Sequence, residues 1–301
     1  MNFVALLLGL GIERLLTHLF HLREFRWLDP AFDRVLRMFE KTSRVVTMAG
    51  LVLFTLVLIV PVGLISFALA GTLYQIPYFA LAVIVLLFSL GPRDLKEEVN
   101  DYCAAVDDAR AEDARRVARE LIEDDLPEGS EERIALVERA VFVQANNRIF
   151  GVVFWFLLLG PAGAWLFRML DMMRRRLAFQ YSRNHDEEAG TTIVWAVRTL
   201  HGLFAWLPAR LLSAGYAMAG SFEDALSCWR QYSDDRAQPF FQMTSDLMAC
   251  IGHGAVGAAR EVDDESSAST PVRQAMDLVN RTLWLIWCPI IAILTLSDWL
   301  T

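Results

Sequence analysis

The feature that most constrains this chain is a run of 27 residues without a charged side chain, VVTMAGLVLFTLVLIVPVGLISFALAG, from Val45 to Gly71. A bilayer core about 30 Å thick needs about 20 helical residues to cross it. A buried core helix is the alternative reading, but cores of soluble domains seldom need an uncharged helix of this length. The run therefore predicts a membrane-spanning helix with room to tilt.

Further apolar runs extend this prediction to the whole chain, in which 55% of the residues are hydrophobic. Residues 74–91 contain no charge over 18 residues, and residues 284–296 form a C-terminal run that reaches about 18 residues if 283–300 are counted, with Asp298 near its end. Together with the apolar segment at residues 146–176, these runs predict an all-α, polytopic membrane protein. We expect about four transmembrane helices together with amphipathic and soluble helices.

The segment NNRIFGVVFWFLLLGPAGAWLFRMLDMMRRR, residues 146–176, leaves two arrangements open. Between Phe150 and Met169 its only charge is Arg168, and a Gly-Pro-Ala-Gly break lies in the middle, at residues 160–163. The segment is long enough for one kinked crossing. A re-entrant hairpin would instead keep both basic ends on one side, and its arms of about 10 residues would each reach half way.

Basic residues set the expected orientation. Seven precede the first span: Arg14, Arg23, Arg26, Arg34, Arg37, Lys41 and Arg44. Cytoplasmic segments carry an excess of Lys and Arg, so residues 13–44 are expected in the cytoplasm. The short link at residues 71–73 makes the first two spans a hairpin, which returns the chain to the cytoplasm at residue 92. Residues 3–12 are apolar but too short to span, and they lack the basic start of a signal peptide.

The remaining segments are predicted to be helical. Small and apolar residues recur every three or four positions between Val99 and Leu121, and turn residues at 125–130 separate this helix from one that Ser130 would cap. The apolar but interrupted pattern of residues 192–220 predicts a helix pair, either lying on the membrane surface or half-buried, that is broken near Pro208. Ser221 and Asp224 would begin a helix that runs through Trp229, and Pro239 another that runs to about Cys250.

These patterns divide the chain into six segments. They are an N-terminal amphipathic segment (1–44), a transmembrane hairpin (45–91), a charged helical cytoplasmic loop (92–148), a membrane-embedded segment with the Gly-Pro-Ala-Gly break (149–220), a polar helical region (221–281) and a C-terminal transmembrane helix (282–301). Residues 263–270, DDESSAST, read as a polar linker within the fifth segment.

Motifs for chemistry are scarce. The sequence has no phosphate-binding GxxxxGK[ST], no HExxH and no GxSxG, and the glycines around His253 lack the preceding strand that a nucleotide loop needs. His18 and His21 have no further metal ligands nearby, so no metal site is expected. The four cysteines have no zinc spacing and are expected to be free thiols. A net charge of −8 argues against a nucleic-acid partner.

Polar residues beside the central apolar segment are the candidate ligand-binding positions. Asn146, Asn147 and Arg148 precede it, and Arg168 and Asp171 follow its break. Polar groups at membrane depth tend to mark functional sites, whereas the same groups at a membrane edge often serve as anchors. Both interpretations stay open from the sequence, and no catalytic residue can be assigned.

Four stretches of this chain resemble the AmpE family: GPRDLKEEVNDYCAA (91–105), residues 142–170, WLPARLLSAGYAMAGSFEDALSCW (206–229) and residues 270–296. The resemblance covers most of the chain in order. It implies a bacterial inner-membrane protein, spanning the membrane several times, that modulates signalling in β-lactamase induction and the antibiotic response.

The AmpE family is similar in turn to the CobD/CbiB enzymes, which attach aminopropanol phosphate to adenosylcobyric acid using ATP. This sequence keeps their glycine turn at Gly160 and Gly163 and their Pro-Ala-Arg motif, which ends at Arg210. It carries Asn146 and Phe150 where that family has acidic residues. The N-T-L-D stretch of that family falls on residues 171–174, where Asp171 is the carboxylate.

Two hypotheses follow from the resemblance. In the first, the chain is a non-enzymatic modulator in the response to cell-wall damage that needs no cofactor and binds a partner or small ligand through Asn146, Asn147, Arg148, Asp171 and Arg210. In the second, it is an ATP-dependent amide-forming enzyme for an amphiphilic substrate, with a nucleotide and Mg²⁺, which requires carboxylate ligands. Expected partners are the lipid bilayer, a second copy in a homodimer, and a component of peptidoglycan recycling or β-lactamase regulation. The missing carboxylates favour the first hypothesis.

Overall fold

The structure is a computed structural model of the chain, and it describes residues 28–39, 42–69, 76–90, 94–122, 126–183, 191–234, 240–260 and 267–293. Within these ranges the chain is helical and has no strand, which confirms the all-α prediction. The predictions for His18, His21, the link at residues 71–73 and Asp298 lie outside the described residues.

Eleven α-helices follow one another in the described ranges, and two of them continue into π-helical turns. In chain order they are α1 (Asp29–Phe39), α2 (Arg44–Leu69), α3 (Ile76–Ser89), α4 (Leu95–Asp107), α5 (Ala111–Ile122), α6 (Ser130–Ala145), a π-helical turn (Asn146–Phe150), α7 (Gly151–Arg183), α8 (Thr191–Ala219), α9 (Phe222–Asp234), α10 (Phe240–Arg260), α11 (Thr270–Arg281) and a second π-helical turn (Thr282–Trp287).

Three of the continuous helical stretches are long and apolar enough to cross a membrane: Arg44–Leu69, Ser130–Gln180 and Thr270–Ile293. The shorter apolar helix Ile76–Ser89 accompanies them. Helix α2 has 26 residues, or about 39 Å of helix, and it exposes large apolar side chains such as Leu53 and Phe67. Such faces are stable against lipid rather than water, so the chain is a membrane protein.

The helices form two compact units, and each unit is built from two separate stretches of the chain. Unit 1 comprises residues 1–92 and 151–205, and unit 2 comprises residues 93–150 and 206–301. The chain passes from unit 1 to unit 2 for the second time within α8. This division does not test the six segments predicted from the sequence, which stay a prediction.

Unit 1 packs α7 against the first three helices. Phe32 and Leu36 of α1, Leu51 of α2, and Leu170 and Met173 of α7 share one buried cluster. The indole Nε1 of Trp165 on α7 donates to the main-chain oxygen of Leu58 at 3.1 Å, which satisfies both polar groups in an apolar setting. Each fully buried Leu or Phe contributes about 1.5–3 kcal/mol.

Helix α7 bends sharply at Gly160, whose φ of 65° and ψ of −153° are not helical. A Cβ added at Gly163 would lie 3.0 Å from the carbonyl carbon of Trp155, although eight residues of straight helix would separate the two by about 12 Å. The chain therefore turns within the Gly-Pro-Ala-Gly break, and α7 has a short first arm and a long second arm. A straight crossing by this segment does not fit this geometry.

Unit 2 gathers the charged loop and the last helices around a second core. Tyr102, Leu121, Phe142 and Tyr216 are fully buried, and the rings of Phe142 and Tyr216 meet edge to face at 5.2 Å. The helical prediction for residues 99–121 is confirmed in type, but the structure divides the stretch into two helices, α4 and α5, because the chain turns at Ala109, whose φ is 54°. The predicted cap was wrong by one residue, because Gly129 precedes the helix and Ser130 is already its first helical residue.

Three further expectations need correction. Residues 191–219 form one helix rather than a broken pair, with Pro208 accommodated inside it. Helix α10 continues to Arg260 because its glycines allow close packing, and a Cβ at Gly252 would meet the Phe142 ring at 2.6 Å. Cys228 and Cys250 are not free thiols, since the packing of α9 on α10 places their Cα atoms 5.9 Å apart in a disulfide.

Candidate functional site

Among the described residues of unit 1, a concentrated group of charges surrounds Asp171 of α7, whose side chain is fully buried. Arg174 Nη2 and Arg175 Nε each donate a hydrogen bond of 2.8 Å to its carboxylate. Arg168 Nη1 donates another, at 3.3 Å, and Nε2 of His201 lies 3.8 Å from Oδ1. Both carboxylate oxygens of Asp171 therefore accept hydrogen bonds from guanidinium groups.

The sequence around Asp171 explains how these groups meet. Arg168, Arg174 and Arg175 stand three or four positions from Asp171, so all four side chains share one face of the second arm of α7. Helix α8 supplies His201 because Ile193, Ala196 and Val197 pack into the same buried cluster as Leu170 and Met173. The Phe167 ring lies 5.6 Å from the imidazole ring of His201 and covers one side of the group.

The charges around Asp171 do not suit a magnesium ion. A Mg²⁺ ion needs carboxylate oxygens as ligands. Three guanidinium groups already form hydrogen bonds with the Asp171 carboxylate, and their positive charges would repel the ion. Among the described residues, no three His, Cys, Asp or Glu side chains are grouped so that they could hold a metal ion. Asp171 is therefore suited to holding arginines in place.

A second buried ion pair lies in unit 2, where Arg148 of the first π-helical turn meets Glu98 of α4. Arg148 Nη1 donates to Glu98 Oε2 at 2.7 Å, and Arg148 Nε donates to Gln144 Oε1 at 3.1 Å. The Gln144 amide in turn donates to the main-chain oxygen of Leu121 at 2.9 Å. Both charged side chains are almost fully buried, so this network fixes α4, α5 and the π-helical turn to one another.

Asn146 and Asn147 are also buried, in the same π-helical turn. Asn146 Nδ2 donates to Asn147 Oδ1 at 3.4 Å, while the Asn146 Oδ1 atom has no hydrogen-bond partner among the described residues. The second π-helical turn packs close by, because the Phe150 and Trp287 rings lie 4.9 Å apart. Such turns are frequent at functional sites.

Arg210 lies elsewhere in unit 2. Its guanidinium group stacks over the Trp229 ring at 5.1 Å, and the side chain is half-buried. The five predicted site residues are thus divided between the units: Asp171 belongs to unit 1, and Asn146, Asn147, Arg148 and Arg210 belong to unit 2. Within unit 2, the three consecutive residues 146–148 share one turn.

Several residues of these two groups were not singled out from the sequence. The sequence analysis assigned no role to Glu98 or Gln144, and it treated Arg174 and Arg175 only as part of the basic end of the central apolar segment. The spacing of Arg168, Arg174 and Arg175 around Asp171 was a usable signal, since residues three and four apart on a helix are neighbours. No sequence signal connects Glu98 with Arg148, which stands 50 positions later.

Comparisons with known proteins give a consistent result. The family model described as "Regulatory signalling modulator protein AmpE" matches residues 1–300. The cobalamin biosynthesis protein CobD of Stutzerimonas stutzeri (strain A1501) is 28% identical over 221 residues, which is 68% of this chain and 71% of that protein. The CobD protein of Chromobacterium violaceum is 26% identical over 250 residues, 76% of this chain and 74% of that protein. No solved structure matches the chain.

Proposed function

Because this chain belongs to the AmpE family of regulatory signalling modulator proteins, we propose that it acts without catalysis in the bacterial inner membrane, where it modulates β-lactamase induction. In this proposal it responds to cell-wall damage by binding a small ligand or a partner from peptidoglycan recycling or β-lactamase regulation. We also propose that the chain forms a homodimer. The family match supports the regulatory role itself, and the pathway and its components are the proposed part.

The structural observation that supports a non-enzymatic role is that arginines already form hydrogen bonds with the Asp171 carboxylate. An enzyme that uses ATP with Mg²⁺ needs carboxylate oxygens directed at the metal. Here Arg174 and Arg175 bind that carboxylate at 2.8 Å each. At the positions where CobD/CbiB enzymes carry acidic residues, this chain has Asn146 and Phe150.

Induction in the native host tests the proposal. The chromosomal copy is deleted, the strain is complemented with the wild-type chain or an empty vector, and β-lactamase activity is measured after exposure to a β-lactam below its inhibitory concentration. We expect deletion to change the induced activity and the wild-type chain to restore it. Induction that is the same in all three strains would contradict the proposed pathway.

A second candidate function is an ATP-dependent, amide-forming reaction on an amphiphilic substrate. Its support is the similarity to the CobD proteins over about 70% of their length. In this hypothesis the sequence keeps two motifs of that family, the glycine turn at Gly160 and the Pro-Ala-Arg motif that ends at Arg210. The buried Asn146 amide would then contact substrate in the place of a carboxylate.

Turnover measurements separate the two functions. Purified protein in detergent is incubated with ATP, Mg²⁺ and a carboxylic acid and amine of the CobD type, and release of phosphate or ADP is followed. Substrate-dependent turnover that Asp171→Ala abolishes would support the enzyme and count against the modulator. If the chain is not an enzyme, we expect phosphate and ADP to be released at the background rate in every mixture.

A further inference from the structure

We infer that Arg133 of α6 and Tyr102 of α4 form a binding site for a small, soluble oxyanion, either a carboxylate or a phosphate. The inference rests on the proposed function, because it names the chemistry of the small ligand that the modulator would bind. Both residues belong to unit 2, and neither is among the five site residues predicted from the sequence. The evidence is that both side chains are buried with donors that no protein group accepts.

The guanidinium group of Arg133 is a buried cation without a counter-charge. Only 7% of this residue is exposed, and its Nε and Nη1 atoms are fully buried and have no hydrogen-bond partner. No carboxylate in the described part of the chain forms an ion pair with it. Arg148 of the same unit is similarly buried but is paired with Glu98 at 2.7 Å. Because an unpaired buried charge strongly destabilises a protein, an anionic ligand would supply what Arg133 lacks.

The hydroxyl group of Tyr102 is a second unused donor, and it lies beside the Arg133 guanidinium group. Tyr102 is 0% exposed, and its hydroxyl has no hydrogen-bond partner among the residues that the structure describes. Burial raises the pKa of Tyr102 above its ordinary value of 10.0, and the adjacent positive charge of Arg133 opposes this rise. The hydroxyl therefore stays protonated at neutral pH and is able to donate to an anion. Two adjacent buried donors, one of them charged, favour an oxyanion over a cation or an apolar ligand.

The site lies beside the exposed beginning of α6. Tyr102 and Val137 belong to one buried cluster, and Val137 stands one turn after Arg133. Residues 128–132, which directly precede Arg133, are exposed. A small ligand would therefore enter from this end of the helix. The carboxylates of Glu131 and Glu132 stand in the same turn, and water and salt screen their repulsion of an anion because both side chains are exposed.

Titration of the purified full-length protein in detergent tests the inference. Isothermal titration calorimetry measures the binding of sodium phosphate and of sodium acetate, with sodium chloride at equal ionic strength as the comparison. Saturable binding of phosphate alone identifies a phosphate ligand, binding of acetate alone a carboxylate ligand, and binding of both a site for oxyanions in general. Heats that equal those of chloride for both anions would overturn the inference.

The variant Arg133→Met locates the binding. It removes the buried charge, so we expect the affinity for the anion to fall at least about tenfold. Without added anion we expect it to melt at or above the temperature of wild type, because replacing an unpaired buried charge by an apolar side chain does not destabilise a protein. Arg139→Met is the control, since it removes the same charge from an exposed pair on the same helix. Wild-type affinity in Arg133→Met, or equal weakening in both variants, contradicts the site.

A second variant, Tyr102→Phe, keeps the aromatic ring in the core and removes only the hydroxyl group. We expect it to bind the anion at least about tenfold more weakly, because it loses a hydrogen bond to a charged group. Its melting temperature without anion should equal that of wild type, since the hydroxyl has no hydrogen-bond partner there. Unchanged affinity would remove Tyr102 from the site, and the inference as stated would then fail.

Failure of this inference and failure of the proposed function are distinguishable. Induction that does not change on deletion of the gene would contradict the proposed pathway, while oxyanion binding that requires Arg133 would leave the site in place. Induction that changes on deletion, combined with a protein that binds neither phosphate nor acetate, would contradict the site alone and leave the regulatory proposal in place.

Discussion

At the scale of single residues, arginines pair with carboxylates in two different arrangements. Arg148 is almost fully buried and is matched with one carboxylate, Glu98, and one amide, Gln144. Arg174 and Arg175 are partly exposed and share one carboxylate with Arg168. The first arrangement fixes helices that are distant in sequence to one another, and the second holds neighbouring arginines of α7 around one buried carboxylate.

The first prediction concerns Arg148→Met. The substitution leaves Glu98 buried without its cation, and breaking such a pair costs about 3–5 kcal/mol of stability. We expect a clearly lower melting temperature in detergent, measured by tryptophan fluorescence. Arg139→Met is the control, because the ion pair of Arg139 with Asp246 is exposed and is expected to contribute about 0–1 kcal/mol. Equal losses for the two variants would show that the Glu98 pair has no special role.

A second prediction concerns pH and Asp33 of α1. The hydrogen bond from Arg176 lowers the pKa of Asp33 below its ordinary value of 3.8. A carboxyl with a lowered pKa in the folded state stabilises the protein above its unfolded pKa, and this stabilisation is lost as the pH falls through the folded pKa. We expect wild type to melt above Asp33→Asn at neutral pH, and the difference to shrink once the pH falls below about 4. A difference that does not depend on pH would assign the effect to packing.

At the scale of elements, the decisive feature is the bend in α7. Gly160 has φ and ψ values that are essentially restricted to glycine, and Pro161 follows it. The helix before the bend does not begin at Gly151, because α6 and the first π-helical turn run into α7 as one continuous helical stretch from Ser130. The bend is compatible with the kinked crossing and with the re-entrant hairpin, so the choice between the two stays a prediction.

Substitution of Gly160 tests the bend. We expect Gly160→Ala to destabilise the protein by about 1–3 kcal/mol, because alanine must adopt a strained backbone conformation there. Gly63→Ala is a matched control in α2, where no atom lies within 4 Å of an added Cβ and a helical backbone favours alanine by about 0.5–1 kcal/mol. The two melting temperatures should shift in opposite directions. A stabilising Gly160→Ala would mean that this residue is helical in the bilayer.

At the scale of the whole molecule, the contacts inside unit 1 define which helix ends lie together. Arg176 binds Asp33 at 2.7 Å, and Arg44 stacks on Trp195. The end of α7, the beginning of α8 and the beginning of α2 therefore meet at one end of this unit. The basic residues concentrated there predict that this end lies in the cytoplasm.

Labelling of introduced cysteines tests this topology. Phe179 is exposed near the end of α7, and Thr72 lies in the predicted link between the first two spans. We expect a membrane-impermeant maleimide to modify Thr72→Cys in whole spheroplasts and Phe179→Cys in inverted membrane vesicles alone. The wild-type chain, labelled in parallel, reports the contribution of Cys103 and Cys288. Modification of Phe179→Cys from the outside would show that α7 crosses the membrane completely.

The sequence by itself determined the membrane class, the helical content and the long apolar run at residues 45–71, because uncharged length and helical periodicity are local properties. It also indicated the break at Gly160 and placed Asp171 among the candidate residues. Only the tertiary structure decided which distant groups meet: Glu98 with Arg148, His201 with Asp171, and Cys228 with Cys250. The physical reason is that burial and pairing of charges depend on how helices from separated stretches of chain pack, and local sequence carries no record of that packing.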